Sequence, residues 1–494
     1  MSHTSDHTYL SRRDYLRLSA AAIAGLGIPG AAGAAGIHLA PPMTRRFGKI
    51  PFEVTSFGLG GQAAIQWTPE GVEPAAIIEK AFRMGINYFD TSNAYGPSQL
   101  NFGKAFRRLG LVPGREGYNK QHREGIFLTS KTMVRWAAPG YPLGDKVRNF
   151  TEGSGDGAVA DLKRALSQMF GNDDGGYPEG AYLDMMLIHN LTTMEEVEAV
   201  YTGLHTPPKP GEPVGALAAL RDYRDGTNRS GLNPGREKLV RHLGFSGHHD
   251  PKVMVEMIQR DDDNLLDAML VSLNVNDRRY FNMQDNAIPV ARAKNMGVIA
   301  MKVFADGAMY TKEARWSSEP RDVVRIIGTE DLPSRPLIEY VLTAPGVHTL
   351  IIGIGAIDPD PLRCQLTQNI VAAQIAPDAL TEERRRELEG LGLRAKEGRT
   401  NWFQVAGGDL TPPGNARVEG ARPAHLAWET AFAGNRPVSH YAIFEDGAPL
   451  ALVPHRPQTN RAPFTFPAAP GKTYTVAAVD EAGRMASCAP LRVG

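Results

Sequence analysis

A carboxylate, a phenol, an ammonium and an imidazole stand at the ends of successive short apolar runs. Asp90 follows NYF, Tyr95 sits in the glycine-bearing turn SNAYG, Lys131 follows GIFLTS, and His189 follows AYLDMMLI. Apolar runs of this length, each followed by a helical pattern, read as buried parallel strands, and parallel strands present their carboxyl ends on one common face. The four side chains are therefore expected at one mouth. A tyrosine with its ordinary pKa of about 10 is a poor proton donor near neutrality, and each unit of lowering takes about 1.4 kcal/mol of preferential stabilisation of the phenolate. Lys131 would supply that stabilisation, and Asp90 would keep the desolvated lysine charged by ion pairing. A neutral His189 would hydrogen-bond a substrate carbonyl and turn it toward the phenol. Taken singly, each residue has a plainer reading: the Asp as a helix cap, the Tyr as packing, the His as a structural group. Their joint occurrence in order carries the chemistry.

The segments FDTSNAYG, LTSK and LIHN resemble the catalytic regions of the aldo-keto reductase family, and the resemblance covers about residues 48 to 375. It implies a (β/α)8 barrel, a nicotinamide cofactor, and reduction of a carbonyl or its reverse, with Asp90, Tyr95, Lys131 and His189 as the catalytic set. It also implies that Ser246 and Asn274, at the ends of strands five and six, hold the nicotinamide carboxamide. Further along, it implies Gly353, Gly355 and Ala356 at phosphate, with Gln365 and Asn369 toward the adenine. The sequence departs from the family's pattern at three places. The pair after strand five reads Ser246-Gly247, the usual glutamine on strand six has no clear counterpart, and Arg363 is the only basic residue near the usual 2′-phosphate position. The cofactor is therefore expected to be NADP or NAD.

Other positions follow from the elements around these. Gly60 ends the first strand, where a missing Cβ lets a ligand lie close to backbone, although a simple turn reads equally well. Lys302 and Phe304 end the seventh strand, where an ammonium could meet phosphate and a ring could stack on the nicotinamide, core burial of Phe304 being the competing reading. Substrate contacts are expected from Trp67 and from Arg135 and Trp136, which lie in the long irregular segment after Lys131 on the active-site face, against a reading of each as packing or loop filler. His248 and His249 are adjacent, which seldom lets side chains converge on one ion, so no metal is expected.

The chain has 494 residues, 42% hydrophobic and 22% charged, enough for a barrel and something smaller. Lys+Arg and Asp+Glu are equal at 54 each, which argues against a nucleic-acid partner. Two distant cysteines, Cys364 and Cys488, make neither a disulfide framework nor a CxxC metal signature. At the amino terminus, SRRDYL precedes an Ala/Gly-rich apolar stretch and resembles a twin-arginine export signal over residues 1–36, the alternatives being a basic tail or an anchor. No other segment is long and apolar enough to span a bilayer. The barrel is assigned to 45–398 and a linker or docking strap to 399–421. Over 422–494, short alternating runs divided by turn residues argue a small antiparallel sandwich, with Trp428 as core aromatic and Tyr474 as a tyrosine corner. That tail resembles a fibronectin type III module suited to docking on the barrel or contacting a wall, glycan or protein.

The expectation is thus an α/β protein, a TIM barrel with an all-β carboxyl-terminal domain. It would be a periplasmic or secreted oxidoreductase acting on a small carbonyl or sugar. Two alternatives stand beside it: a non-catalytic ligand-binding scaffold on the same barrel, and an enzyme that keeps its cofactor bound while cycling between two sugars.

Overall fold

The computed structural model describes residues 40–134, 151–206, 208–209, 211–420 and 423–494. The export signal expected over 1–36 and the substrate candidates Arg135 and Trp136 lie outside the described residues. An antiparallel hairpin, β1 (Thr44–Arg46) paired with β2 (Glu53–Thr55), seals the floor of the barrel. Its turn needs Gly48, at φ +57°, where a Cβ would fall 2.6 Å from the Met296–Gly297 backbone. Phe47, Ile50 and Val54 enter the barrel against Tyr88, Phe127, Met185 and Leu187, with the Phe47 and Phe127 rings edge to face at 5.3 Å. The Arg45 guanidinium ties the floor to three carbonyls, of Leu342, Val347 and Ile375.

Above this plug, β3 (Phe57–Gly60), β4 (Tyr88–Asp90), β5 (Phe127–Met133), β6 (Leu183–His189), β7 (Val240–Gly247), β8 (Leu266–Ser272), β9 (Gly297–Met301) and β10 (Thr349–Ile352) form a closed parallel barrel, with β10 pairing back onto β3. Every residue of β4, β5 and β6 is buried, the continuous apolar pattern of strands covered on both faces. The covering helices include Pro74–Arg83, whose N-cap Glu73 accepts from Ala75 N–H, and Gly155–Phe170, capped by Ser154. Among the described residues no helix is long and apolar enough to cross a membrane.

The carboxyl-terminal region is a two-sheet antiparallel sandwich. One sheet holds β11 (Gly414–Glu419), β12 (Ala424–Glu429) and β15 (Phe464–Ala468). The other holds β13 (Val438–Glu445), β14 (Ala448–Pro454), β16 (Thr473–Asp480), β17 (Met485–Ser487) and β18 (Leu491–Arg492). Trp428 from the first sheet and Tyr441, Ile443 and Val476 from the second share one core. The Tyr474 hydroxyl accepts from Ala469 N–H five residues upstream at 3.0 Å, the corner geometry expected for it. Strand β11 falls inside the stretch read from sequence as linker, because its half-exposed residues show no alternation.

Candidate active site

Asp90 ends β4, Lys131 lies in β5 and His189 ends β6, so the register of three adjacent strands brings carboxylate, ammonium and imidazole to one end of the barrel. Tyr95 is held in the turn after β4 by its N–H on Ser92 O and by its own carbonyl, which accepts from Ser98 N–H at the start of the following helix. A cleft partly open to solvent is lined by Asp90, Tyr95, His189, His248, Lys302, Phe304 and Trp316, with Gly60 and Gly353 also in its lining.

The Lys131 ammonium donates to Asp90 Oδ1 at 2.5 Å and to the Thr91 carbonyl at 2.8 Å, and sits 4.7 Å from the centroid of the Tyr95 ring. It faces the ring, and no hydrogen bond joins it to the phenolic oxygen. Burial pushes Asp90 up and Lys131 down, each toward its neutral form, and their contact opposes both shifts. The acidified phenol expected from sequence is not found. Burial first, then the carboxylates of Asp90 and Asp306, push Tyr95 well above its ordinary value. Tyr95 is accordingly a neutral phenol with its proton in place.

His189 is held well below its ordinary value by burial and by the charges of Lys131 and Lys302, so the ring is neutral, as the chemistry of carbonyl orientation requires. Its Nδ1 lies 2.5 Å from Ser246 Oγ. The hydroxyl expected to hold a carboxamide is thus engaged with the imidazole. Asn274 is likewise engaged: its amide donates to the Lys302 carbonyl at 2.9 Å and pairs with Asn401, and neither Ser246 nor Asn274 lines the cleft. A network behind Lys131 fixes its strand: Asn93 donates to the Lys131 and Asp161 carbonyls, and Thr132 donates to the Asp161 carboxylate at 2.7 Å.

A model of the Aldo/keto reductase family matches residues 56–324. The chain belongs to that family. No curated protein matches it. Among solved structures, it is similar to a Pseudomonas aeruginosa protein described as an aldo-keto reductase (21% identity, TM-score 0.41, 67% of this chain and 94% of that one). It is also similar to a thermostable aldo-keto reductase solved with the inhibitor epalrestat (19%, 0.43, 70% and 99%) and to a Klebsiella pneumoniae aldo/keto reductase solved with NADP and acetate (18%, 0.42, 71% and 95%).

In this chain the far part of the expected cofactor site has a different character. Gln365 and Asn369, one turn apart on the helix Gln365–Ala372, are buried, and all four of their amide N and O atoms lack a partner among the described residues. Buried amides without partners cost about 1–3 kcal/mol each, and a nucleotide base would satisfy them, so these residues fit the adenine half of a dinucleotide. Gly355 is overlaid by the segment around Val324, whose carbonyl a Cβ there would approach to 2.7 Å. Ala356 is half-buried beside it. Arg363, largely exposed, is paired with Asp358 at 3.2 Å.

Lys302, just past β9, adopts a left-handed backbone at φ +60° and points its ammonium at Gln62 Oε1 (2.8 Å) and the Trp316 ring (4.2 Å). Burial lowers it to about 8, against the pull of Asp306. Phe304 is buried in the core and also lines the cleft. Trp67 is not a lining residue. Gln62, His248, Asp306 and Trp316 were not foreseen as site residues. Only His248 carried a signal, its place at a strand end; the other three come from irregular segments with no periodicity to read.

Proposed function

We propose that this protein is an oxidoreductase that moves a hydride between a nicotinamide cofactor, NADP or NAD, and the carbonyl carbon of a small aldehyde, ketone or sugar, with Tyr95 passing the proton. The observation that carries the reading is the meeting of a neutral phenol, a neutral imidazole and a buried Lys131–Asp90 pair at one cleft wall. The nicotinamide, when bound, supplies or accepts the hydride. Gly60, Lys302, Phe304 and Gly353 would hold it within the cleft, and Gln365 and Asn369 would hold the adenine.

The residues divide the remaining work. Substrate oxygen sits between Tyr95 Oη and His189 Nε2. To donate from Nε2, His189 needs its proton there, and the Ser246 hydroxyl then donates to Nδ1; Ser246 sets the tautomer. As negative charge develops on the oxygen, the Lys131 charge over the ring stabilises the phenolate that forms when the proton leaves. Asp90 keeps that ammonium charged. Tyr95→Phe should lower turnover of a carbonyl panel by about 10²- to 10⁴-fold while nicotinamide nucleotide still quenches protein fluorescence. Wild-type turnover in Tyr95→Phe would refute the assignment.

Twin-arginine export and a fibronectin type III-like role for the sandwich belong to the same reading. The first is supported by SRRDYL at Ser11–Leu16, the second by the three-plus-five strand sheets and the Tyr474 corner. Processing of the precursor in an export-competent host, with loss of about 36 residues seen by mass spectrometry, tests the first.

A further inference from the structure

The segment after the last barrel helix returns over the mouth of the barrel. Thr400, Asn401 and Phe403 are fully buried there. The amides of Asn401 and Asn274 pair reciprocally, both hydrogen bonds at 3.0 Å. The same Asn274 nitrogen donates to the carbonyl of Lys302, the cleft residue in left-handed backbone. A non-glycine residue held there persists only where its surroundings impose it, and Asn274 is a group that does so.

From Asn401 the hydrogen bonds run away from the cleft. Its Nδ2 donates to Gln404 Oε1 at 2.6 Å, and Gln404 donates to Asp277 Oδ1 at 2.7 Å. The Asp277 carboxylate also accepts from Met283 N–H and from the Gln284 backbone and side chain, which folds the turn after β8. That turn is the one the sandwich grips. Asn282 donates to the Gly434 carbonyl at 2.6 Å, Asn286 exchanges two hydrogen bonds with the backbone of Ala433, and the Phe281 and Phe432 rings meet edge to face at 5.5 Å. Buried hydrogen bonds from Lys302 to Met283 and Gln284, and the turn backbone that carries Asn282 and Asn286, therefore connect the Lys302 backbone to the sandwich. The members of this connection are satisfied in series, so removing one leaves its neighbours unpaired in low dielectric.

We propose that Asn401 is a positioning residue for the cleft, acting through Asn274 on Lys302, and that docking of the sandwich at Ala433–Gly434 anchors it, so that the catalytic unit is the barrel with the sandwich in place. The role in catalysis rests on the oxidoreductase reading above; the mechanical coupling does not. It is tested on the full chain with Asn401→Ala, Asn286→Ala and the double variant. Hydrogen exchange at the Lys302–Asp306 amides and fluorescence titration with NADH and NADPH are the readouts. Each single variant should speed exchange at those amides and weaken nucleotide binding about tenfold, and the double should be no worse than the worse single, since both cut one chain. Should Asn401→Ala fail to fold, Asn286→Ala alone decides, lying at the sandwich end, remote from the cleft. Unchanged exchange at Lys302–Asp306 in Asn286→Ala, or strictly additive losses, overturns the proposal. If the wild type binds no nicotinamide nucleotide, the oxidoreductase reading falls, and the exchange experiment still decides the coupling.

Discussion

The two ends of the expected cofactor track are built on opposite principles. At the catalytic end Lys131, Lys302 and His189 each have a polar partner: Lys131 the Asp90 carboxylate, Lys302 Gln62 and Asp306, and the neutral His189 ring the Ser246 hydroxyl. At the far end Gln365 and Asn369 are buried with no partners among the described residues. The first end is organised before anything binds, as reaction geometry requires, since groups that must meet developing charge gain most when already oriented. The second leaves four buried amide atoms unpartnered among the described residues, and on the function proposed above these await the adenine. Removing a partner should therefore damage the protein at one end and spare it at the other.

The largest contrast comes from Lys131→Met. It leaves Asp90, already with Oδ2 unpaired, as a lone buried carboxylate, and breaking a buried pair in this way costs about 3–5 kcal/mol. Urea unfolding should show that loss, and carbonyl turnover should vanish with it. Adding Asp90→Asn should recover much of the stability and none of the turnover. A Lys131→Met protein as stable as wild type would mean that the pair does not organise this end.

Asn369→Leu should do the reverse. Replacing an unpaired buried amide by an apolar group of similar size is neutral or stabilising, so the unfolding midpoint should hold or rise. Affinity for nicotinamide dinucleotides should fall about tenfold, about 1.4 kcal/mol, while affinity for nicotinamide mononucleotide, which has no adenine, stays as it was. A parallel fall for both ligands would place Asn369 elsewhere than at the base and remove the distinction between the two ends.

The catalytic end was the legible one. Asp90, Lys131 and His189 lie at or near the ends of apolar runs, and a parallel barrel converts that place in sequence into a place in space. The direction of the Tyr95 shift was not legible, because it follows first from burial of the phenol and then from the carboxylates of Asp90 and Asp306, and Asp306 lies in an irregular segment with no period to read. Asn401 and Gln404 were read as linker: the TNWFQ stretch has neither helical nor strand period, and its burial arises from contacts more than a hundred residues away. Strand β11 escaped for a related reason, since an edge strand with half-exposed residues shows no two-residue alternation. The sandwich core itself was legible, as Trp428 and Tyr474 sit in strands whose first residues alternate and which are bounded by turn residues.

Lys302 lies between the two ends and gives the smallest expected effect. Burial lowers its ammonium to about 8, so it loses its proton as pH rises through that value, well before an exposed lysine would. If its charge meets an anionic group of the bound nucleotide, affinity should be steady below pH 7 and fall severalfold between pH 7 and 9. The sign is fixed: the charged form is the low-pH form, and it is the one that binds. Lys302→Arg keeps its charge across this range and should flatten the profile. A decline that persists unchanged in Lys302→Arg would assign the titration to another group and leave Lys302 as a structural cation, held by Gln62 and the Trp316 ring.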